Sequence, residues 1–152
     1  MNNLNTLASQ GKINENANVK DRHSIIINAP IDKVWRILSD VKKWPEWNDK
    51  IKNVQIDGEV ARGTDFSWTF DGKKFTSQIQ SADAPTMLSW TGKSSMVKSV
   101  HVWQLEDDEN QTIASLGTSL QGTFTILFNK HQKIYNDLLT WLQTLKDTAE
   151  NS

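Results

Sequence analysis

Between Ile51 and Leu120 apolar side chains return at every second position, and on either side of that stretch they return at helical spacing. In "SVHVWQL", residues 99–105, one face carries Ser99, His101, Trp103 and Leu105. The other carries Val100, Val102 and Gln104, because side chains alternate across a strand. "TDFSWTF" sets Phe66, Trp68 and Phe70 on one face, and "KFTSQIQ" does the same for Phe75, Ser77 and Ile79. Asp71-Gly72 between them suits a two-residue hairpin turn. That turn would pair Phe70 with Lys73, Trp68 with Phe75, and Phe66 with Ser77. "IKNVQID" contributes Ile51, Val54 and Ile56, and "TMLSWTG" contributes Leu88 and Trp90. "MVKSVHVWQLE" and "TIASLGTSLQG" read as two longer strands. Gly63, Asp71-Gly72, Asp83-Ala84-Pro85, Lys93-Ser94-Ser95 and "EDDENQ" mark the turns.

The flanks read differently. "RHSIIIN" predicts a first strand, broken by Ala29-Pro30, and Pro30 suits the opening of a helix. "IDKVWRILSDV" then places Ile31, Val34, Trp35 and Leu38 on one stripe. Pro45 is expected to end that helix by holding Trp44 out of helical geometry. At the other end, "TFTILFNKHQKIYNDLLTWLQTLKDTAE" carries one stripe from Phe124 through Leu127, Phe128, His131, Ile134, Tyr135, Leu138, Trp141 and Leu142 to Leu145. Roughly 25 residues give a rod of about 38 Å, enough to cross six or seven strands. Residues 1–18 are rich in Asn and lack periodicity, and predict a loose arm or a short helix. Residues 19–149 predict one α+β domain, with about six antiparallel strands curling around the last helix. Between sheet and helix lies either a packed core or a cavity.

Composition narrows the function. A chain of 152 residues with formal net charge −1 has no basic field for phosphates, so no nucleic-acid partner is expected. The absence of cysteine excludes disulfides, thiolate metal sites and a cysteine nucleophile. No metal or cofactor is expected: the three histidines lack ligand spacing, and "EDDE" lacks the alternation of a calcium loop. His23 is expected to be exposed at the start of the first strand. No membrane span is expected, and the N-terminus carries no secretion pattern, so the expected location is cytoplasmic. The seven tryptophans change the picture most. Each prefers a mostly apolar wall with one polar contact, which suits a ring-lined cavity as well as a core.

The order of elements and "INAPIDKVWRILSDVKKWPEWN" resemble the START-like, or Bet v 1-like (SRPBCC), superfamily, more narrowly its polyketide cyclase/dehydrase and lipid-transport group. "GTDFSW", "LSWTG", "HVWQLE" and "GTSLQG" extend the resemblance over about residues 19–149. It implies a helix-grip fold: a seven-stranded antiparallel sheet around a long C-terminal helix, with two short helices after the first strand. It also implies an elongated cavity for an apolar small molecule, without fixing one activity. Relatives often carry an acid in the last strand, in a pattern like "ESxxG". Here the strand reads Thr118-Ser119-Leu120-Gln121-Gly122.

The expected cavity wall is Phe66, Trp68, Phe75, Ser77, Ile79, Trp90, Trp103, Phe124 and Phe128, with Ser77, His101, Thr118 and Tyr135 as polar groups and Trp44 and Trp47 at the rim. Failing a ligand, His101 should satisfy itself on Thr118. Three readings follow. The first is binding of a small hydrophobic ligand (lipid, polyketide-like or aromatic). The second is a cyclase or dehydrase using His101 or Tyr135 on a bound carbonyl. The third is a co-chaperone or protein-interaction module. Val100 and Val102 on the outer face allow pairing with another subunit, so the expected state is monomer or homodimer.

Overall fold

The computed structural model describes residues 3–123 and 130–152. In chain order these form α1 (Asn3–Ser9), β1 (Val19–Ile27), α2 (Ile31–Ser39), a 3₁₀ turn (Val41–Lys43), α3 (Trp44–Trp47) and β2 (Ile51–Ile56). Then come β3 (Asp65–Phe70), β4 (Lys73–Asp83), β5 (Met87–Ser94), β6 (Val97–Asp108), β7 (Gln111–Gln121) and α4 (His131–Glu150). The strands make one antiparallel sheet in the order β1-β7-β6-β5-β4-β3-β2. This is the helix-grip fold.

The alternation and the turn chemistry set the register. Phe70 pairs with Lys73, Trp68 with Phe75 and Phe66 with Ser77 around Asp71-Gly72, where both turn residues have positive φ. The spacing of three between Ile51 and Val54 has its own cause. A bulge lies between Lys52 and Gln55, and Asn53 sits at φ 57°, so the alternation resumes one residue out of step.

The inner face of the sheet and the buried stripe of α4 form the core. Leu138, Trp141, Leu142 and Leu145 of α4 meet Trp68, Trp90, Trp103 and Leu116 of the strands, and α2 adds Val34 and Leu38. Of the expected last helix, residues 124–129 lie outside the described residues. Its stripe is narrower than expected: His131 and Tyr135 are exposed.

Two expectations need correction here. Trp44 is helical (φ −49°, ψ −41°), because α3 starts at that residue and Pro45 in its first turn has no donor to lose. The chain leaves α2 at Asp40 instead, with ψ 77°. Nor is Trp44 at a rim. It is fully buried, donates its indole N–H to the Leu38 carbonyl at 2.9 Å, and packs on Phe66, Trp68, Trp90 and Trp141.

The outer face is also covered. The first residues are a packed strap rather than a loose arm: Ala8 and Ile13 bury Val100 and Val102, with Leu4 beside them. The Ser89 hydroxyl donates to the Ala8 carbonyl at 2.6 Å, the Thr91 hydroxyl to Asn5 Oδ1 at 2.8 Å, and the Asn14 amide to Ser119 Oγ at 3.1 Å. The apolar pair expected to face another subunit is therefore occupied by the chain itself. Among the described residues, no helix is long and apolar enough to cross a membrane.

Candidate ligand pocket

A pocket of about 550 Å³ opens where β3, β4, β6 and β7 meet α4. Each wall follows from the strand period. On β3, Trp68 and Phe70 share the inner face. Phe75 follows across the hairpin on β4, and His101 and Thr118 sit directly opposite each other on β6 and β7. From α4 come Ile134, Leu138 and Trp141, one to two turns apart on the buried stripe. Small-molecule sites commonly measure about 300–1,000 Å³ and combine apolar walls with a few placed polar groups. A larger depression of about 950 Å³ over β2–β5 is open to solvent and bounded largely by polar side chains.

His101 is the deep polar group. Its ring stacks on Trp90 at 5.0 Å and meets the edge of Trp68 at 6.0 Å. Nδ1 lies 3.1 Å from Thr118 Oγ1. Nε2 is buried and has no hydrogen-bond partner among the described residues. Burial pushes the His101 pKa down to about 3, so the ring is neutral at physiological pH. A neutral ring offers one donor and one acceptor. If Thr118 donates to Nδ1, Nε2 carries the proton and donates towards the pocket. If Thr118 accepts, Nε2 accepts. Trp141 Nε1 is a second buried donor without a partner among the described residues.

The mouth is charged. Lys133 bridges Asp71 at 2.9 Å and Asp137 at 3.0 Å, and Lys50 reaches Asp137 at 3.1 Å. Burial opposes the charge on Lys133, but the hydrogen bonds that it donates to Asp71 and Asp137 hold its pKa above the usual lysine value. The same contact with Lys133 holds the Asp71 carboxyl below the usual carboxylate range. Lys73, Lys74 and Lys130 complete the mouth.

The residues expected to form the cavity wall divide into four groups. Trp68, Phe75, His101 and Thr118 line the pocket together. Ile79, Trp90 and Trp103 lie behind it in the closed core; Phe66 packs against Trp44, and Ser77 accepts the Trp68 indole N–H at 3.0 Å. Trp47, expected at the rim with Trp44, is half-buried against the core. Phe124 and Phe128 lie outside the described residues.

Tyr135 needs correction. It is 40% exposed and packs edge-on against His23 at 4.8 Å, away from the pocket. His23 in turn is only partly exposed, because it shares the inner face of β1 with Asp21, whose carboxylate lies 3.2 Å from its Nε2. The sequence reading overlooked Phe70, Trp141 and the lysines as pocket residues. The signal available was Lys73-Lys74 directly after the hairpin turn and Lys130 just before the last helix, two basic points at one end of the same sheet.

An open antiparallel sheet closed by one long helix, with a ring-lined pocket between them, defines a helix-grip architecture. The chain belongs to the polyketide cyclase/dehydrase and lipid-transport family, whose pattern it matches over residues 19–141. The hypothetical protein jhp0584 from Helicobacter pylori superposes with a TM-score of 0.73 at 16% identity, covering 86% of each chain. The Zhui aromatase/cyclase from Streptomyces sp. R1128 superposes at 0.70 with 16% identity, over 86% of this chain and 93% of that one. A START superfamily protein from Mycobacterium smegmatis gives 0.72 at 14% identity, over 87% and 97%. At these identities the likeness is one of fold. No curated protein matches this sequence.

Proposed function

We propose that this protein binds a small hydrophobic ligand in the pocket between sheet and α4, and that it carries or senses the ligand rather than transforming it. The observation that supports this most is the pocket itself: about 550 Å³, walled by Trp68, Phe75 and Trp141, with Nε2 of a neutral His101, which has no partner among the described residues, at its wall. Burial of apolar surface would drive binding, at roughly 25 cal/mol per Å² before the costs of association. His101 would orient one polar atom of the ligand.

The cyclase reading needs a proton donor or acceptor at a bound carbonyl. His101 faces a threonine in place of an acid, and its low pKa makes it a weak base. Tyr135 points away from the pocket. Both placements favour binding over acid–base chemistry. A protein-interaction module would show a broad apolar patch. The strap over Val100 and Val102 removes the one that the sequence suggests.

Native mass spectrometry of gently purified protein, followed by denaturation, tests the reading. The expected result is a small-molecule adduct released on unfolding, or, for protein isolated empty, uptake of the neutral dye N-phenyl-1-naphthylamine with quenching of tryptophan emission. A chain that carries nothing and takes up no dye overturns it. His101→Ala separates binding from catalysis: a carrier keeps apolar binding in weakened form, whereas an enzyme loses turnover specifically.

A further inference from the structure

The pocket mouth carries more positive charge than its own carboxylates match. Four lysines line it (Lys73, Lys74, Lys130 and Lys133) against two aspartates (Asp71 and Asp137). Both aspartates are already engaged by Lys133, and Lys50 takes a further share of Asp137. Among the described residues, no carboxylate lies within ion-pair distance of Lys73, Lys74 or Lys130. The stretch 124–129, "FTILFN", contains no acid that could supply one. The first turn of α4 also lacks an acid, and among the described residues no side chain caps its N-terminus, so the helix adds positive potential at the same end. All this occurs in a chain whose net charge is −1.

We propose that the pocket takes an amphiphile with a single negative charge, whose anionic head, such as a carboxylate, sits between Lys73 and Lys130 at the mouth while its apolar body runs inward along Trp68, Phe75 and Trp141 towards His101. This rests on the ligand-binding reading above and names the chemistry of the ligand. Lys73 and Lys130 are close neighbours: the Lys130 ammonium is the main reason that the Lys73 pKa lies below the usual lysine value, and burial adds to it. An anion placed between two crowded ammonium groups relieves that repulsion and gains two charge-assisted hydrogen bonds. The inner end suits the apolar part. Its rings are buried, and its one titratable group, His101, is neutral. Neither end suits a cationic ligand.

The test compares dodecanoate with dodecanol, equal in chain length and differing in charge, by displacement of N-phenyl-1-naphthylamine below micelle-forming concentrations. Wild-type protein and the double variant Lys73→Gln/Lys130→Gln are measured at low and high salt. The expected result is at least tenfold tighter binding of dodecanoate than of dodecanol by the wild type. That preference should shrink several-fold with added salt and collapse in the double variant. Equal binding of the two chains by the wild type, or a dodecanoate preference that survives in the double variant, overturns the head-group assignment and leaves the pocket reading standing. Failure of dye and both chains to bind the wild type overturns the pocket reading, and the assignment with it.

Discussion

His101 is 7% exposed and stacked on Trp90, and its low pKa has a consequence for stability. Above pH 6.5 the residue is neutral in both folded and unfolded chains and adds no pH dependence. Below that, the unfolded chain takes up a proton that the folded chain refuses, so stability falls as pH drops from 6.5 towards about 3. The limiting slope is about 1.4 kcal/mol per pH unit. Urea unfolding of wild type and His101→Gln from pH 7 to pH 4 should show the wild type losing stability faster by up to that slope; parallel curves would show that the folded state accepts the proton. Trp44 is the other residue on which much depends, since four aromatic rings pack around it. Trp44→Ala should cost about 3–5 kcal/mol in denaturant unfolding, as for other large aromatic truncations in a core. Trp47→Ala, at a half-buried site, should cost distinctly less. A reversed order would mean that Trp44 packs less tightly than its contacts indicate.

At the scale of elements, the strap of residues 3–17 does for the outer face what α4 does for the inner one. Its helix α1 has only seven residues and makes little stable structure alone. What holds it is the apolar contact of Ala8 and Ile13 with Val100 and Val102, together with the hydrogen bonds at Ser89, Thr91 and Ser119. Gly11 turns the chain at φ +77°, where an added Cβ would come within 2.7 Å of Gln104 Nε2. A chain beginning at Asn18 should unfold at lower urea. It should also associate as concentration rises, because β6 would expose Val100 and Val102 to solvent. Light scattering after size exclusion reads this directly. A truncated chain that stays monomeric with unchanged stability would show that the strap contributes little.

On the scale of the whole molecule, sheet and α4 act as two jaws, and the ion pairs of Lys50, Asp71, Lys133 and Asp137 tie them at the pocket mouth. A ligand between the jaws binds the folded chain alone, so it should raise stability by RT ln(1 + [L]/Kd), about 2.7 kcal/mol at a hundredfold excess over Kd. Thermal unfolding with and without a saturating pocket ligand checks this. Tryptophan emission should change in the same titration, since Trp68 and Trp141 line the pocket. A ligand that shifts the melting point without touching that emission would be bound elsewhere.

The strands, their faces and the hairpin register are legible in the chain alone, because alternation and a two-residue turn are local and leave few choices. The sequence also put His101 opposite Thr118 once β6 and β7 paired, and it marked the second jaw through the stripe of Leu138, Trp141, Leu142 and Leu145. Three matters depended on how the elements pack together. Trp44 became core rather than rim because α3 turns its ring under the sheet. Tyr135 left the pocket because the rotation of α4 gives that position to His23 on β1. The lysines of the mouth converged from a hairpin and a helix start, from Lys73 to Lys130 in the chain. Periodicity tells which side of an element is apolar. Which neighbour covers that side, and which charges meet across a gap, depends on how far elements distant in the chain rotate and approach when they pack.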